Sequence, residues 1–335
     1  MKIFLMCILF TLFGKLYAID SSFCSSQNEL SSVEANAGKS KKKDTTYWTC
    51  TTNVRLVGNQ YAYSNWSAGG DNSIATSFYV DQKYVYKRDK RSVVFITDFG
   101  VGYIFLANDI APVRKKEDKM NINIQANIDY TKEFAYSLVL DLKSQFANGY
   151  SYPNDSVVVS SILSPAYITL SAGFTFKPIN SLSCFVSPIS GKFTTVFNQE
   201  LADKGSFGVT PAKLDSLGNV IQPGKRIRPE LGLNFVFRYD QEVSKVFTAS
   251  ATVELHNNYF DERLENRWNF DLNAETKLIF KLSKRLTTNL FCRVAYDDDV
   301  RFPVYEEIDG QEVLVKSVPK FQFNESMGIG IVFNF

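Results

Sequence analysis

Hydrophobic and polar residues alternate with a period of two through one stretch of this chain after another. Between Met120 and Tyr130 the even positions are apolar or aromatic, whereas the odd positions from Lys119 to Asp129 carry charges or amides. A period of two gives a β-strand one apolar and one polar face. A soluble sheet produces such a strand once or twice, but its recurrence without an intervening helical pattern predicts a transmembrane antiparallel β-barrel.

The same pattern predicts the number of strands. Each segment is long enough for a tilted membrane strand of about ten residues with some overhang. The twelve predicted strands span residues 50–61, 74–87, 91–105, 118–132, 134–147, 162–177, 181–188, 227–239, 245–258, 267–282, 285–297 and 320–335.

Short and long connections alternate between these strands. The short ones have the length of hairpin turns and lie at 88–90, 132–133, 178–180, 240–244 and 283–284. The long ones lie at 62–73, 106–117, 148–161, 189–227, 257–267 and 298–320. This alternation is expected of an outer-membrane barrel with tight periplasmic turns, long outer loops and an even strand number. A soluble lipocalin-like barrel is the alternative, but such barrels usually have about eight strands.

The N-terminal region predicts export to the cell outer membrane. Residues 1–18 combine a basic start, a short apolar stretch and a small-residue cleavage site ending at Ala18, which indicate a signal peptide; the alternative is a membrane anchor, for which the stretch is short. Residues 19–48 lack periodicity and include a lysine-rich run, so we expect a flexible periplasmic tail that is solvated or contacts peptidoglycan or lipid headgroups. Residues 49–335 form the predicted barrel.

Charge and cysteine spacing narrow the classes of function. The chain has 37 basic and 35 acidic residues, and this net charge of +2 gives no support for nucleic-acid binding. The cysteine spacings match no zinc or redox motif, and we predict no cofactor and no metal. In an oxidising periplasm we expect a disulfide between Cys24 and Cys50, with packing or lipid-facing positions for Cys184 and Cys292.

The last predicted strand ends in an aromatic residue, Phe335. Its odd positions are mainly large and apolar, from Phe321 onward, and a terminal aromatic on such a strand is typical of the signal that barrel-insertion machinery reads. Glu325 interrupts this apolar face. We expect it near the outer rim or beside a bulge, where a charge costs less than at the membrane centre.

The polar faces predict the lining of the barrel interior. Both charge signs are interspersed along them, which fits either a wet pore whose charges set selectivity or salt-bridged ladders that leave the lumen narrow or blocked. Twelve strands fall between the barrel sizes that would decide this, and the 189–227 connection is long enough to constrict the mouth. The predicted lumen-lining residues are Lys119, Asn121, Asn123, Gln125, Asp129, Asp141, Lys143, Glu230, Arg238, Glu254, Asp271, Glu275, Lys277 and Arg293.

The residues available for catalysis are few, and we predict no enzymatic activity. The single histidine, His256, lies on a polar strand face, and no serine is tied to it by spacing as a barrel lipase would require. Acidic residues between Asp297 and Glu312 predict an exposed loop, with calcium binding or an omptin-type protease site as alternatives. P-loop, Rossmann and Cys/His motifs are absent from the sequence.

Several motifs resemble a known family. In SNWSAGGDNS at 64–73 the glycines favour a tight bend, and Trp66 suits an interfacial anchor or a ligand contact. This motif, with PAYITLSAGFTFKP from 165, FVSPISGKFTTVFNQELADKGSFGV from 185, YDDDV from 296 and the terminal GIGIVFNF, resembles an uncharacterised family of outer-membrane barrels from Gram-negative anaerobes, domain of unknown function 3078. The resemblance extends from about Asn53 to Phe335. It implies a barrel in the envelope and brings no catalytic or binding residues.

We therefore expect an outer-membrane barrel that is a passive or narrowly selective channel for small solutes. One alternative is a structural or assembly barrel that binds another envelope protein through its loops or tail. A barrel hydrolase acting on lipid or peptide is a further alternative. The expected partners are outer-membrane lipid and, during biogenesis, the insertion machinery.

Overall fold

The computed structural model describes residues 47–61, 73–106, 113–152, 154–261, 263–298, 301–308 and 311–334. The predicted signal peptide, nearly all of the predicted tail, most of the 64–73 motif and Phe335 lie outside the described residues, as does Cys24. Cys50 is disulfide-bonded, whereas Cys184 and Cys292 are free thiols.

Twelve antiparallel strands form a closed barrel, as the alternating pattern predicted. Each strand pairs with the next along the chain, and β1 pairs with β12 to close the barrel. The strands are β1 (Trp48–Tyr61), β2 (Ser73–Arg88), β3 (Arg91–Leu106), β4 (Val113–Asp129), β5 (Phe134–Ser144), β6 (Ala166–Ile179), β7 (Leu182–Thr195), β8 (Ile227–Ser244), β9 (Phe247–Asn258), β10 (Asp271–Lys281), β11 (Leu286–Tyr296) and β12 (Gln322–Asn334).

The seventh strand is longer than predicted, because a β-bulge changes its alternation. The register between β6 and β7 shifts after Ala172, so that Ser187 and Ser190 are both fully buried although they differ in parity. An extra residue in one strand of a pair has this effect. The period-two pattern therefore stops at residue 188, whereas the strand continues to Thr195.

A second bulge lies between β7 and β8, after Gly232. A Cβ atom added to Gly232 would lie 1.6 Å from the carbonyl oxygen of Asn257, and one added to Gly173 would lie 2.0 Å from that of Val186. No side chain fits at these distances. Glycine at both positions allows neighbouring strands to pack closely beside the bulges.

Within the described residues, four of the long connections contain secondary structure that the alternation did not predict. Short hairpins pair Gly149–Tyr150 with Val158–Ser160, Lys213–Leu214 with Val220–Gln222, and Arg301–Ile308 with Gln311–Pro319. The connection after β7 also contains helix α1 (Gln199–Asp203), whose N-cap Asn198 accepts from two backbone amides, and two 3-10 turns lie at Ser206–Gly208 and Leu264–Trp268. The long connections thus include folded loops.

The outer face of the barrel wall is apolar and the inner face polar. Large hydrophobic side chains such as Leu138, Phe174 and Ile329 are about half exposed on the outside, whereas Asn123, Gln125 and other polar residues are buried. This inverts the arrangement of a soluble barrel and is the arrangement that a lipid environment requires.

Among the described residues, no helix is long and apolar enough to cross a bilayer.

Candidate functional site: the barrel lumen

Neutral polar side chains line the lumen along β4, β5 and β6, in the half of the barrel that is nearer the short turns. Gln125 donates to Asn127 at 2.8 Å and to Thr175 at 3.1 Å, and Ser137 lies 2.7 Å from Asn127 and 2.6 Å from Thr175. All four residues are buried. Hydrogen bonds among these side chains compensate for their burial.

An apolar cluster lies in the same layer and was missed by sequence reasoning. Val139, Phe185 and Val236 pack together inside the lumen, each 3 to 4% exposed. Val139 pairs with Gln125 and Phe185 with Thr175, so the cluster continues the neutral layer across β5, β7 and β8. Alternation places these three positions on the lumen-facing side of their strands. Because that side is polar elsewhere, alternation by itself predicts polar residues at these positions.

Ion pairs cross the lumen above this layer, toward the long connections. Lys119 on β4 lies 3.8 Å from Glu275 on β10, six strands away around the barrel and therefore on the opposite wall. Lys143 on β5 pairs with Glu254 on β9. These side chains belong to non-adjacent strands and lie away from the exposed turn end, so they meet through the interior and obstruct the lumen.

Two further pairs cross between other walls. Lys277 on β10 lies 3.8 Å from Asp81 on β2, and Lys192 on β7 lies 3.3 Å from Asp271 on β10. The charges that cross the lumen thus come from β2, β4, β5, β7, β9 and β10.

Pairs between adjacent strands hold these side chains in position. Arg55 and Asp81 are 2.7 Å apart, Lys192 and Glu230 3.5 Å, and Arg293 and Glu275 3.7 Å. Because Asp81, Glu275 and Lys192 also take part in the crossing pairs, the charges form connected networks rather than isolated bridges.

The remaining predicted lumen residues have different surroundings. Asp141 accepts a hydrogen bond from Asn123 at 3.0 Å, and Asn121 pairs in register with Asp98 on one side and Lys143 on the other. At the turn end, Asp129 is 3.9 Å from Lys87. Within the described ranges, Arg238 has no ion-pair partner.

A cavity of about 160 Å³ lies in the middle of the lumen. Side chains of opposite walls line it, including the charged groups of Arg55, Asp98, Lys119, Glu275 and Lys277. Serine, threonine and asparagine side chains complete much of the lining. The Lys119–Glu275 pair crosses at this level, so the cavity is part of the same polar interior.

His256 faces the lumen, in register with Asp271 of β10. Its Nε2 atom is buried and has no hydrogen-bond partner within the part of the chain described. No described group of three His, Cys, Asp or Glu side chains is arranged to hold a metal ion. In the predicted acidic loop, Asp298 lies 3.7 Å from Arg263.

These features define a closed β-barrel with an apolar outer face and a polar, obstructed lumen. Residues 58–150 match the model of the family described as "Protein of unknown function (DUF3078)". The resemblance inferred from the sequence is confirmed over this range, which covers β2 to β5 and part of β1. No match was found among functionally curated proteins.

Solved barrels of other proteins are similar to this chain. The COG4313 outer membrane channel from Pseudomonas putida F1 is 10% identical, with 90% of this chain and 100% of that chain covered and a TM-score of 0.38. The NanC porin is 12% identical, with 84% and 98% covered and a TM-score of 0.33. The translocator domain of the autotransporter NalP from Neisseria meningitidis is 11% identical, with 88% and 90% covered and a TM-score of 0.34.

Proposed function

We propose that this protein is an outer-membrane barrel that acts as a narrowly selective channel for small solutes. The observation that carries the proposal is the set of ion pairs joining opposite walls, together with the polar cavity beside them. A polar lining holds water in the lumen, whereas side chains that cross it leave only narrow passages. Solute size and charge would then both limit passage.

Location in the cell outer membrane is part of this proposal. Its support is the closed barrel, the exposed apolar outer face and the alternation of short turns with long connections. We assign the short turns to the periplasm and the long connections to the outside. A cleaved signal peptide and the insertion machinery would deliver the chain to this membrane.

Solute entry into proteoliposomes tests the channel. Vesicles that contain the folded barrel should swell in an isotonic solution of glycine and should not swell in one of sucrose, because the crossing ion pairs leave no room for a disaccharide. Vesicles without protein provide the baseline. Swelling in neither solute, with folded barrel present, contradicts the proposal, and equal rates in both contradict its selectivity.

A structural or assembly barrel is the second candidate, and a folded loop favours it. The connection between β7 and β8 has a small core of its own, formed by Val196, Leu201, Ala202 and Val209. Its hairpin tip exposes Leu217, at 86%. Exposed apolar groups on an ordered loop suit contact with another envelope protein. Absence of solute entry would favour this function over a channel.

The geometry gives the hydrolase alternative little support. A serine hydrolase needs a serine hydroxyl within hydrogen-bond reach of the histidine. The buried Nε2 of His256 makes no such contact within the described residues.

A further inference from the structure

The mid-lumen cavity has the size of a small organic molecule. Its volume is about 160 Å³. An apolar cavity of about 150 Å³ holds a molecule of benzene size, which has about six non-hydrogen atoms. Here polar and charged groups line the cavity together with apolar ones such as Val57 and Phe291, so the matching ligand is a molecule of similar size that carries polar groups.

The charges around the cavity differ in how fully they are paired. Arg55 contacts Asp81 through two nitrogens, at 2.7 and 3.0 Å, and Lys119 pairs with both Asp98 and Glu275. Among the described residues, Lys277 forms an ion pair only with Asp81, at 3.8 Å, and shares that carboxylate with Arg55. Its ammonium group is therefore less neutralised than the charges of Arg55 and Lys119, and it favours an anionic group there.

An unsatisfied acceptor lies on the strand next to that of Lys277 and lines the same cavity. Asn289 is 8% exposed, its amide nitrogen donates to Thr287 at 3.1 Å, and its buried side-chain oxygen has no partner in the part of the chain that the structure describes. Asn289 pairs with Ile279, two residues from Lys277 on the adjacent strand, which is a diagonal distance that long side chains span. A buried acceptor without a donor costs free energy that a ligand donor would recover.

We propose that this cavity binds a small carboxylate that also carries a hydrogen-bond donor, such as a hydroxyl group. The carboxylate contacts the ammonium group of Lys277, and the donor contacts the side-chain oxygen of Asn289. This inference rests on the proposed channel for its role, since it names the class of solute that the lumen selects. The binding itself does not require that solutes cross.

Calorimetric titration of the folded barrel in detergent micelles tests the site without measuring transport. L-lactate, with six non-hydrogen atoms, should bind at one saturable site. Propionate lacks the hydroxyl and 1,2-propanediol lacks the carboxylate, so each should bind at least tenfold more weakly. Lactate with no saturable binding, or with no advantage over propionate, would overturn the proposal.

Variants separate the two contacts. Lys277→Met should weaken lactate binding at least tenfold, and Asn289→Leu should reduce it to the level of propionate while leaving propionate binding unchanged. Lys281→Met is the matched control, because Lys281 pairs with Glu242 on β8 away from the cavity. Slower migration of heated samples in detergent gels shows that each variant is folded. Equal effects of the Lys277 and Lys281 variants would contradict the site.

The two proposals can fail separately. Lactate binding without glycine entry into vesicles would contradict the proposed channel and support the proposed binding site. Glycine entry without lactate binding would contradict the binding site and support the channel.

Discussion

At the scale of single residues, Asp118 shows how a charge fixes a loop to the barrel wall. Its side chain is 2% exposed, lies 3.1 Å from the ammonium group of Lys115 and accepts from the amides of Phe146 and Ala147 at 2.8 and 2.7 Å. The loop after β5 is thereby held against β4. Alternation carries no information about this role, because Asp118 meets Phe146 and Ala147 only in the folded chain.

Replacing Asp118 should release this loop. We expect Asp118→Ala to weaken its docking by about 3 kcal/mol, since two amides lose their acceptor and the ammonium group of Lys115 loses its carboxylate, keeping only the oxygens of Gln145 and Ala147. Hydrogen exchange at Phe146 and Ala147 should accelerate strongly in the variant. Glu242→Ala removes the exposed pair with Lys281 and should cost about 1 kcal/mol or less. Unchanged exchange in Asp118→Ala would refute the anchoring role.

The strands themselves were predictable because each buries one face and exposes the other. Period-two alternation determines which residues form a strand, and here it located all twelve. Alternation cannot reveal an added residue in one strand of a pair, so β7 was predicted too short. The folded loop around α1 depends on contacts such as Asn198 with Leu201, for which alternation carries no information.

That loop is stabilised by polar contacts as well as by its core. Gln199 and the amide of Gly224 both donate to Asp203, at 2.6 and 2.7 Å, and these hydrogen bonds lower the pKa of that carboxyl. A lowered folded-state pKa means that the stabilisation is present above the ordinary value and is lost as the pH falls through the lowered one. These hydrogen bonds therefore contribute to the stability of the loop at neutral pH, and their contribution is lost in strong acid.

The bulge glycines should be essential to strand pairing. We expect Gly232→Ala to prevent or severely impair barrel formation, because the added methyl group would lie 1.6 Å from a carbonyl oxygen of β9. Gly58→Ala on β1 is the control, since no atom of the described residues lies within 4 Å of its added Cβ. Heat-modifiable migration in detergent gels measures folding of both. A Gly232→Ala barrel that folds as well as the Gly58→Ala one would contradict this account of the bulge.

At the scale of the whole molecule, sequence reasoning identified the charged residues but not how they pair across the lumen. Lys119 and Glu275 are separated by more than 150 positions and share no local pattern, so only barrel closure brings them together. The apolar cluster of Val139, Phe185 and Val236 was missed for the same reason. Residue parity predicts which way a side chain faces, whereas the packing of opposite walls decides what it contacts.

The current through single barrels in a planar bilayer tests the central claim most directly. We predict a small, steady conductance for the folded protein and a larger one when Lys143→Met and Glu254→Gln together remove a pair that crosses the lumen. The double change avoids leaving one buried charge without its partner. Folded barrels that insert but carry no current would contradict the claim that the lumen is a channel.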